Sequence, residues 1–401
     1  QRTAPHLVRP LGMVVPVVGS MPRRQAALVN GGHHAAHILG AGSLPRPRHL
    51  DASTTLALLP ALEPAGVRGG YVNYDGQLED DARLVIGLAR TARSYGARIV
   101  TYARATSLDG SGADVEADGS SLRVRARAVV NACGVWAGDL DPDVHLRPSK
   151  GAHLVLGAGT LGFPQVAMTL AVPGQANRWV FALPQPDGLI YLGLTDDPIT
   201  GAAPDEPTAS AADEEFLLST FSTALRRPLG HDDVVGSYAG LRPLLSGTEG
   251  RTADLSRRHA VRQGSHGAWS VVGGKLTTYR RMAEDAVDAT GLGAGPCRTH
   301  DLALLGAVRV PAPQGIPTRL VRRYGSEAEQ VAALAADEPR LLQPVAAGVP
   351  VLGAEFAWGV VAEGARTVDD LLARRTRLSL VPDWAAAARP TAEEILASLL
   401  P

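Results

Sequence analysis

The apolar pattern of this 401-residue chain changes near residue 296, and that change constrains the fold more than any single motif. Before it, apolar runs of strand length alternate with Gly, Pro and Asp-Gly turns. HLVLGAG (153–159), QVAMTLAV (165–172), RWVFALP (178–184), LIYLGLTD (189–196) and DVVGSYAG (233–240) read as strands, and Asp187-Gly188 as a hairpin turn between two of them. A helix over Ala211–Leu225 interrupts them. After residue 296 the 3.6-residue period takes over, at Thr318–Ala335, Leu352–Ala362, Thr367–Arg375 and Thr391–Leu399. Thr367 with Asp370, and Thr391 with Glu394, have capping-box spacing. The expected organisation is residues 1–295 as a mixed α/β unit, with an antiparallel β part over about 146–250, and 296–401 as a helical domain.

Within the first unit, residues 1–70 read as irregular and proline-punctuated. Leu78–Tyr95 reads as a helix with Leu84, Leu88 and Ala92 on one face, closed by Gly96. ARIVTYA (97–103) reads as a strand, followed by two strands joined at Asp118-Gly119.

Charge and cysteine content remove whole classes of function. Thirty-nine basic residues face forty acidic ones, so there is no basic excess for a nucleic-acid surface. Two cysteines, Cys133 and Cys297, cannot build a disulfide framework or a cysteine-ligated zinc site. The longest apolar stretch, Leu341–Val361, is broken by Gln343, Pro344, Pro350 and Glu355 and does not span a bilayer. His33, His34 and His37 follow two glycines with no carboxylate ligand nearby, which favours a loop over a metal site.

Several segments carry chemistry. GGKLTTYRR (273–281) places two glycines and Lys275 between a strand and a helix, which suits an anionic oxygen. Lys275 and Lys150 are the only lysines in the chain. Arg242, between apolar residues and before Pro243, is either paired internally or directed at an anion. His153, in RPSKGAHLVL, is a candidate general base, and on an extended strand it points away from Lys150. VVNACGVWAGDL (129–140) ends a buried strand at Asn131 and turns at Gly134, the place where doubly wound sheets bind ligands. Cys133 there lacks an activating partner and reads as inert packing. GAGTLG (157–162) matches G-x-G-x-x-G, but Phe163-Pro164 forbids the helix that a dinucleotide site needs, so it reads as a turn.

Taken in order, APHLVRPL (4–11), YVNYDGQLEDDARLV (71–85), VVNACGVWA, RPSKGAHLVL, LGLTDDP, GSYAGLRPLL, GGKLTTYRRMAEDAVD and EFAWGVVAEGARTVDDLLARRTRLSL (355–380) resemble the respiratory, quinone-linked FAD-dependent glycerol-3-phosphate dehydrogenases. The resemblance implies a D-amino-acid-oxidase-like α/β FAD-binding fold, an antiparallel β substrate domain and a C-terminal all-α domain. It implies hydride transfer from C2 of sn-glycerol 3-phosphate to FAD, giving dihydroxyacetone phosphate, with electrons passed to a membrane quinone in glycerol catabolism. By the same resemblance His153 is the base or its relay, Arg242 holds substrate, and Lys275 stabilises anionic charge. Asn131, Gly134, Gly273, Gly274, Thr277, Thr278 and Tyr279 then meet the cofactor, and Thr195 and Asp196 lie near the site. Arg374, Arg375 and Arg377 carry no evident chemistry and read as structural or as contacts to the main domain. No metal is implied; a cytoplasmic protein at the inner membrane face, compatible with homo-oligomers, is. The family's opening strand, GxGxxG turn and helix do not occur here, so a fragment without activity is one alternative expectation. An FAD-dependent oxidase of another small substrate is the other.

Overall fold

The computed structural model describes residues 2–19, 44–175, 178–245, 259–293, 295–307 and 313–400, and positions 21, 24, 28, 29, 31, 32, 34, 35 and 37. His33 lies outside them, and His34 and His37 are helical rather than in the expected loop. In chain order the strands are β1 (Val8–Pro16), β2 (Arg48–Leu50), β3 (Gly70–Leu78), β4 (Ala103–Asp109), β5 (Gly112–Ala117), β6 (Ser120–Arg125), β7 (Val130–Asn131), β8 (Ser149–Leu156), β9 (Ala167–Ala171), β10 (Trp179–Pro184), β11 (Ile190–Gly193), β12 (Asp197–Pro198), β13 (Val234–Arg242), β14 (His259–Gln263) and β15 (Trp269–Gly273). The helices are α1 (Ala52–Leu58), α2 (Asp81–Ser94), α3 (Ala137–Leu140), α4 (Ala211–Ser222), α5 (Tyr279–Ala289), α6 (Thr318–Tyr324), α7 (Ala328–Ala333), α8 (Gly353–Val361) and α9 (Pro382–Leu399).

Nine of the described strands form one sheet, ordered β12-β8-β11-β10-β9-β1-β3-β2, with β13 also paired to β8. Only the β1–β9 pair in it is parallel. Its two faces do different work because side chains alternate across a strand. Leu154 and Leu156 of β8 join Leu217 and Phe221 of α4 in the main core. Val155 belongs instead to a cluster with Tyr191, Tyr238, Val381 and Trp384, where the helical region covers the sheet. The predicted antiparallel block is therefore present, and it is larger than expected. β1 and β3 fall inside or next to the stretch read as irregular. Pro10 obscured β1. The ladder to β9 reaches only Met13 and Val14, so Pro10 sits where β1 has a neighbour on one side alone, a setting that tolerates proline.

Three further expectations are corrected. Residues 97–102 form no strand: Ile99 and Val100 are exposed and have no ladder partner among the described residues, and pairing starts only at Ala103. The predicted helix over Thr318–Ala335 is split at Gly325, whose φ is +58° and whose Cβ position lies 1.8 Å from the Gly306 carbonyl oxygen, so only glycine fits that crossing. Thr391 does not start a helix. α9 begins at Pro382, and the Thr391 hydroxyl donates to the Val345 carbonyl at 2.9 Å. The Thr367/Asp370 box does form, with reciprocal bonds of 3.2 and 3.1 Å.

The helical region joins the sheet region through an ionic seam. Arg83 of α2 meets Glu363 at 2.6 Å, both fully buried, with its guanidinium 4.4 Å from the Tyr324 ring centroid. Arg90 pairs with Glu327 through two bonds. In the reverse sense Glu79 and Asp80 receive Arg322 and Arg323, and Arg323 also contacts Glu355. Guanidinium forks suit such buried two-oxygen contacts better than ammonium groups do, which gives the arginine-rich, lysine-poor composition a structural use. Among the described residues no helix is long and apolar enough to cross a membrane.

Candidate active site

β8 and β13 run antiparallel with Tyr238 opposite His153 and Arg242 opposite Ser149. The register sets a row of polar side chains on one face of the sheet. The His153 ring stacks on Tyr238, centroids 4.7 Å apart and planes 2° apart. It lies over Gly193 of β11, where a Cβ would come within 2.1 Å of the imidazole. The Arg242 guanidinium lies in the same way over Gly151, where a Cβ would come within 2.2 Å of Nη2. Two glycines thus let two polar side chains lie flat on the sheet.

Arg242 is oriented by Asp196 at 3.1 Å, by Ser149 Oγ at 3.4 Å and by the Thr195 carbonyl at 3.4 Å. Ser149 in turn donates to Asp196. Thr195 accepts the Ala152 N–H at 3.0 Å, which ties the 194–196 turn to β8. The predicted opposition of Lys150 and His153 is present: Lys150 pairs with Asp213 at 2.6 Å on the far face. Burial, and then the nearby Arg242 and Arg377, push the His153 imidazole down to about 4. It is therefore uncharged at neutral pH. Its buried Nδ1 has no hydrogen-bond partner among the described residues.

A second sheet brings the glycine turns together. β7 and β15 are parallel, Trp269 beside Val130 and Ser270 beside Asn131, so both strands end at the same edge. Beyond β7, the buried Asn131 side chain donates to the Ala137 carbonyl at 2.9 Å and accepts the Cys133 N–H at 3.2 Å, which shapes the turn. Gly134 there has φ +61° and open space around its Cβ position. Beyond β15, Gly273 and Gly274 have φ of +75° and +78°. A Cβ on Gly274 would strike Met282 Sδ at 2.5 Å. Lys275, Thr277 and Thr278 are exposed, and Thr278 Oγ1 closes the turn by accepting the Lys275 N–H at 3.2 Å. The Tyr279 ring packs beside Ala4, Leu7 and Leu84. An open pair of glycine turns, a lysine and a helix start at one sheet edge fits the anionic edge of a flavin. GAGTLG, by contrast, forms turns directly after β8, as its Phe163-Pro164 requires.

A cavity of about 360 Å³ lies between Tyr238 of the sheet face and Leu276 of the 273–278 turn. It is lined by Tyr191, Tyr238, Gln77, Asp81, Leu276 and Arg377, among others. Leu276, next to Lys275, is the link to the glycine turn. The structure thus places His153 and Arg242 on one sheet face, Arg242 over Gly151 two residues before His153; the cavity itself is bordered by Tyr238 and Leu276 and not by His153, Arg242 or Lys275. Cys133 and Trp136 face a separate cavity with Arg104 and Asp139. Burial and the Asp139 charge raise the Cys133 thiol, which opposes nucleophilic use. Sequence reasoning missed Tyr238, Tyr191, Gly193 and Arg377. Tyr238 was findable, since it stands four residues before Arg242 on one strand and hence on the same face. Arg377 was not, since its contacts cross most of the chain.

Glycine turns at the ends of parallel strands, beside a covered antiparallel sheet carrying a neutral histidine and an arginine, define a flavin-type oxidoreductase. Comparison agrees: residues 1–280 match the FAD dependent oxidoreductase family and residues 297–401 match the C-terminal domain of alpha-glycerophosphate oxidase, and the chain belongs to this FAD-dependent family. It is 48% identical to glycerol-3-phosphate dehydrogenase 1 of Mycobacterium tuberculosis over 402 residues, covering 95% of this chain and 78% of the relative. It is 32% identical to a mitochondrial glycerol-3-phosphate dehydrogenase of Arabidopsis thaliana, covering 90% of this chain and 64% of that one. Its fold matches the FAD complex of glycerol-3-phosphate dehydrogenase from Bacillus halodurans with a TM-score of 0.73 at 27% identity, covering 98% and 79% of the two chains.

Proposed function

We propose that the chain oxidises sn-glycerol 3-phosphate at C2 to dihydroxyacetone phosphate, with FAD as hydride acceptor. The observation that carries this reading is the uncharged His153 held beside Arg242 on one sheet face. The named relatives supply the substrate. Asn131, Gly134, Gly273, Gly274, Thr277, Thr278 and Tyr279 are the residues that would hold the flavin. When bound, FAD supplies the hydride acceptor. His153 takes the C2 hydroxyl proton, a role that needs a neutral imidazole. Arg242 binds a substrate oxygen through its planar fork, pre-oriented by Asp196 and Ser149. Lys275 neutralises negative charge on the glycine-turn side. The division into residues 1–295 and 296–401, transfer of electrons to a membrane quinone in glycerol catabolism, homo-oligomers and attachment at the inner membrane face belong to the same proposal.

Anaerobic titration of the FAD-loaded chain tests it. Bleaching of the flavin absorption by sn-glycerol 3-phosphate, and not by glycine, sarcosine or 2-hydroxyacids, is expected. Bleaching by one of the others moves the reading to an oxidase of that substrate. A chain that takes up no FAD defeats it.

A further inference from the structure

Arg377 stands apart from the other arginines of the seam. It is one of four described non-glycine residues with positive φ, at +62°, a backbone setting that disfavours a side-chain-bearing residue. From there its side chain leaves the helical region and enters the wall of the cavity. The guanidinium lies 5.3 Å from the Tyr191 ring centroid, with Asp81 at 3.3 Å and Asp80 at 3.6 Å behind it. Tyr191 meets Tyr238 edge to face at 5.5 Å and 73°, and Tyr238 stacks on His153. Four side chains thus run in contact from the helical region to the candidate base. The register places the two arginines on opposite sides of that base along β8. Arg242 lies over Gly151, two residues before His153, and Tyr191 with Arg377 over it pairs with Val155, two residues after.

We propose that Arg377 is a positioning residue of the reaction, by which the helical domain, through Tyr191 and Tyr238, fixes the His153 ring and sets a second permanent positive charge beside it. The other groups around His153 are accounted for. Lys150, on its own strand, faces away and pairs with Asp213; Asp196 is bound by Arg242; Gly193 and Thr195 bring no charge; Tyr191 and Tyr238 are kept neutral by burial. Asp80 and Asp81, behind Arg377, are ion-paired with it at 3.6 and 3.3 Å, so each carboxylate named here is held by a cation. The arrangement explains why the helical domain is part of the enzyme: it completes the surroundings of the base.

The proposal rests on reading His153 as the base, but its test does not need turnover. The full chain, labelled with ¹⁵N-histidine, is titrated by NMR with the His153 ring assigned through His153→Asn. Arg377→Gln is expected to raise the His153 pKa by about one unit, because a nearby cation no longer opposes protonation. Arg377→Lys keeps the charge and is expected to leave the value within roughly 0.3 units of the parent. An unmoved pKa in folded Arg377→Gln overturns the proposal and leaves Arg377 a seam residue only. If Arg377→Gln does not fold, Arg377→Met, which keeps the aliphatic stem and removes the charge, is titrated in its place: a rise of about one unit supports the proposal, and an unmoved value overturns it. If the pKa moves as expected while glycerol 3-phosphate is not oxidised, the positioning stands and only the substrate reading falls.

Discussion

At the scale of single residues, the site depends on keeping one imidazole neutral and one guanidinium aimed. His153→Asn keeps the volume and removes the proposed base. It is expected to lower kcat by roughly 10²–10⁴-fold with FAD binding retained, measured by stopped-flow flavin reduction. Because burial and two arginines hold the ring at about 4, flavin reduction in the parent is expected to persist down to about pH 5. Arg242→Lys keeps a charge but loses the fork that Asp196 and Ser149 orient. A rise in KM of about tenfold to a hundredfold is expected, with a smaller change in kcat.

At the scale of elements, glycines on neighbouring strands decide where these side chains lie. Gly193→Ala puts a methyl within 2.1 Å of the His153 ring, and Gly151→Ala puts one within 2.2 Å of the Arg242 guanidinium. Each is expected to impair turnover sharply while the melting temperature moves by a few degrees at most, as read by calorimetry; a fully active Gly193→Ala contradicts the flat-lying histidine. Much of this scale was legible in the sequence. The alternating runs of β8, β10, β11 and β13, the Asp-Gly turns and the C-terminal end of α2 were read from periodicity and turn chemistry, which are local, whereas α2 starts at Asp81 and the expected first residue, Leu78, ends β3. What escaped was non-local. β1 hides behind Pro10 and is a strand because β3 and β9 flank it. The 97–102 run has the composition of a strand and lacks a partner. Thr391 has cap spacing inside a helix that starts nine residues earlier. In the site, His153, Arg242 and Lys275 stood out as chemically apt types in apt contexts, whereas Tyr191 and Arg377 gain their place only through packing across the sheet and between regions.

At the scale of the whole molecule, stability is tied to the ionic seam and to buried neutral histidines. Breaking the Arg83–Glu363 pair by Glu363→Ala leaves a buried guanidinium unpaired and is expected to cost about 3–5 kcal/mol in chemical denaturation. The acid response has two stages. His153, and His6, also held at about 4 by burial and Arg83 against the pull of Glu327, have folded pKa values below their unfolded ones. The unfolded chain therefore binds protons first. Stability is full above about pH 6.5 and falls as the pH drops toward 4, by as much as roughly 3 kcal/mol for His153. Asp80 and Glu355 are held below the usual carboxylate range, burial opposing their ionisation and Arg323, with Arg377 or Arg319, outweighing it. Their contribution is lost only below the unfolded carboxylate value, so a second, steeper loss is expected under about pH 4. Thermal melts across pH 3.5–8 check both stages.

The seam interleaves its signs. The sheet region offers Glu79, Asp80, Arg83 and Arg90, and the helical region answers with Arg322, Arg323, Glu363 and Glu327. A slip by one helical turn sets like charges against each other in a dry joint, so the two regions have one docking register and no near neighbour to it. Exchanging the helical region between relatives accordingly demands that both sides of the joint travel together, even where each half folds well.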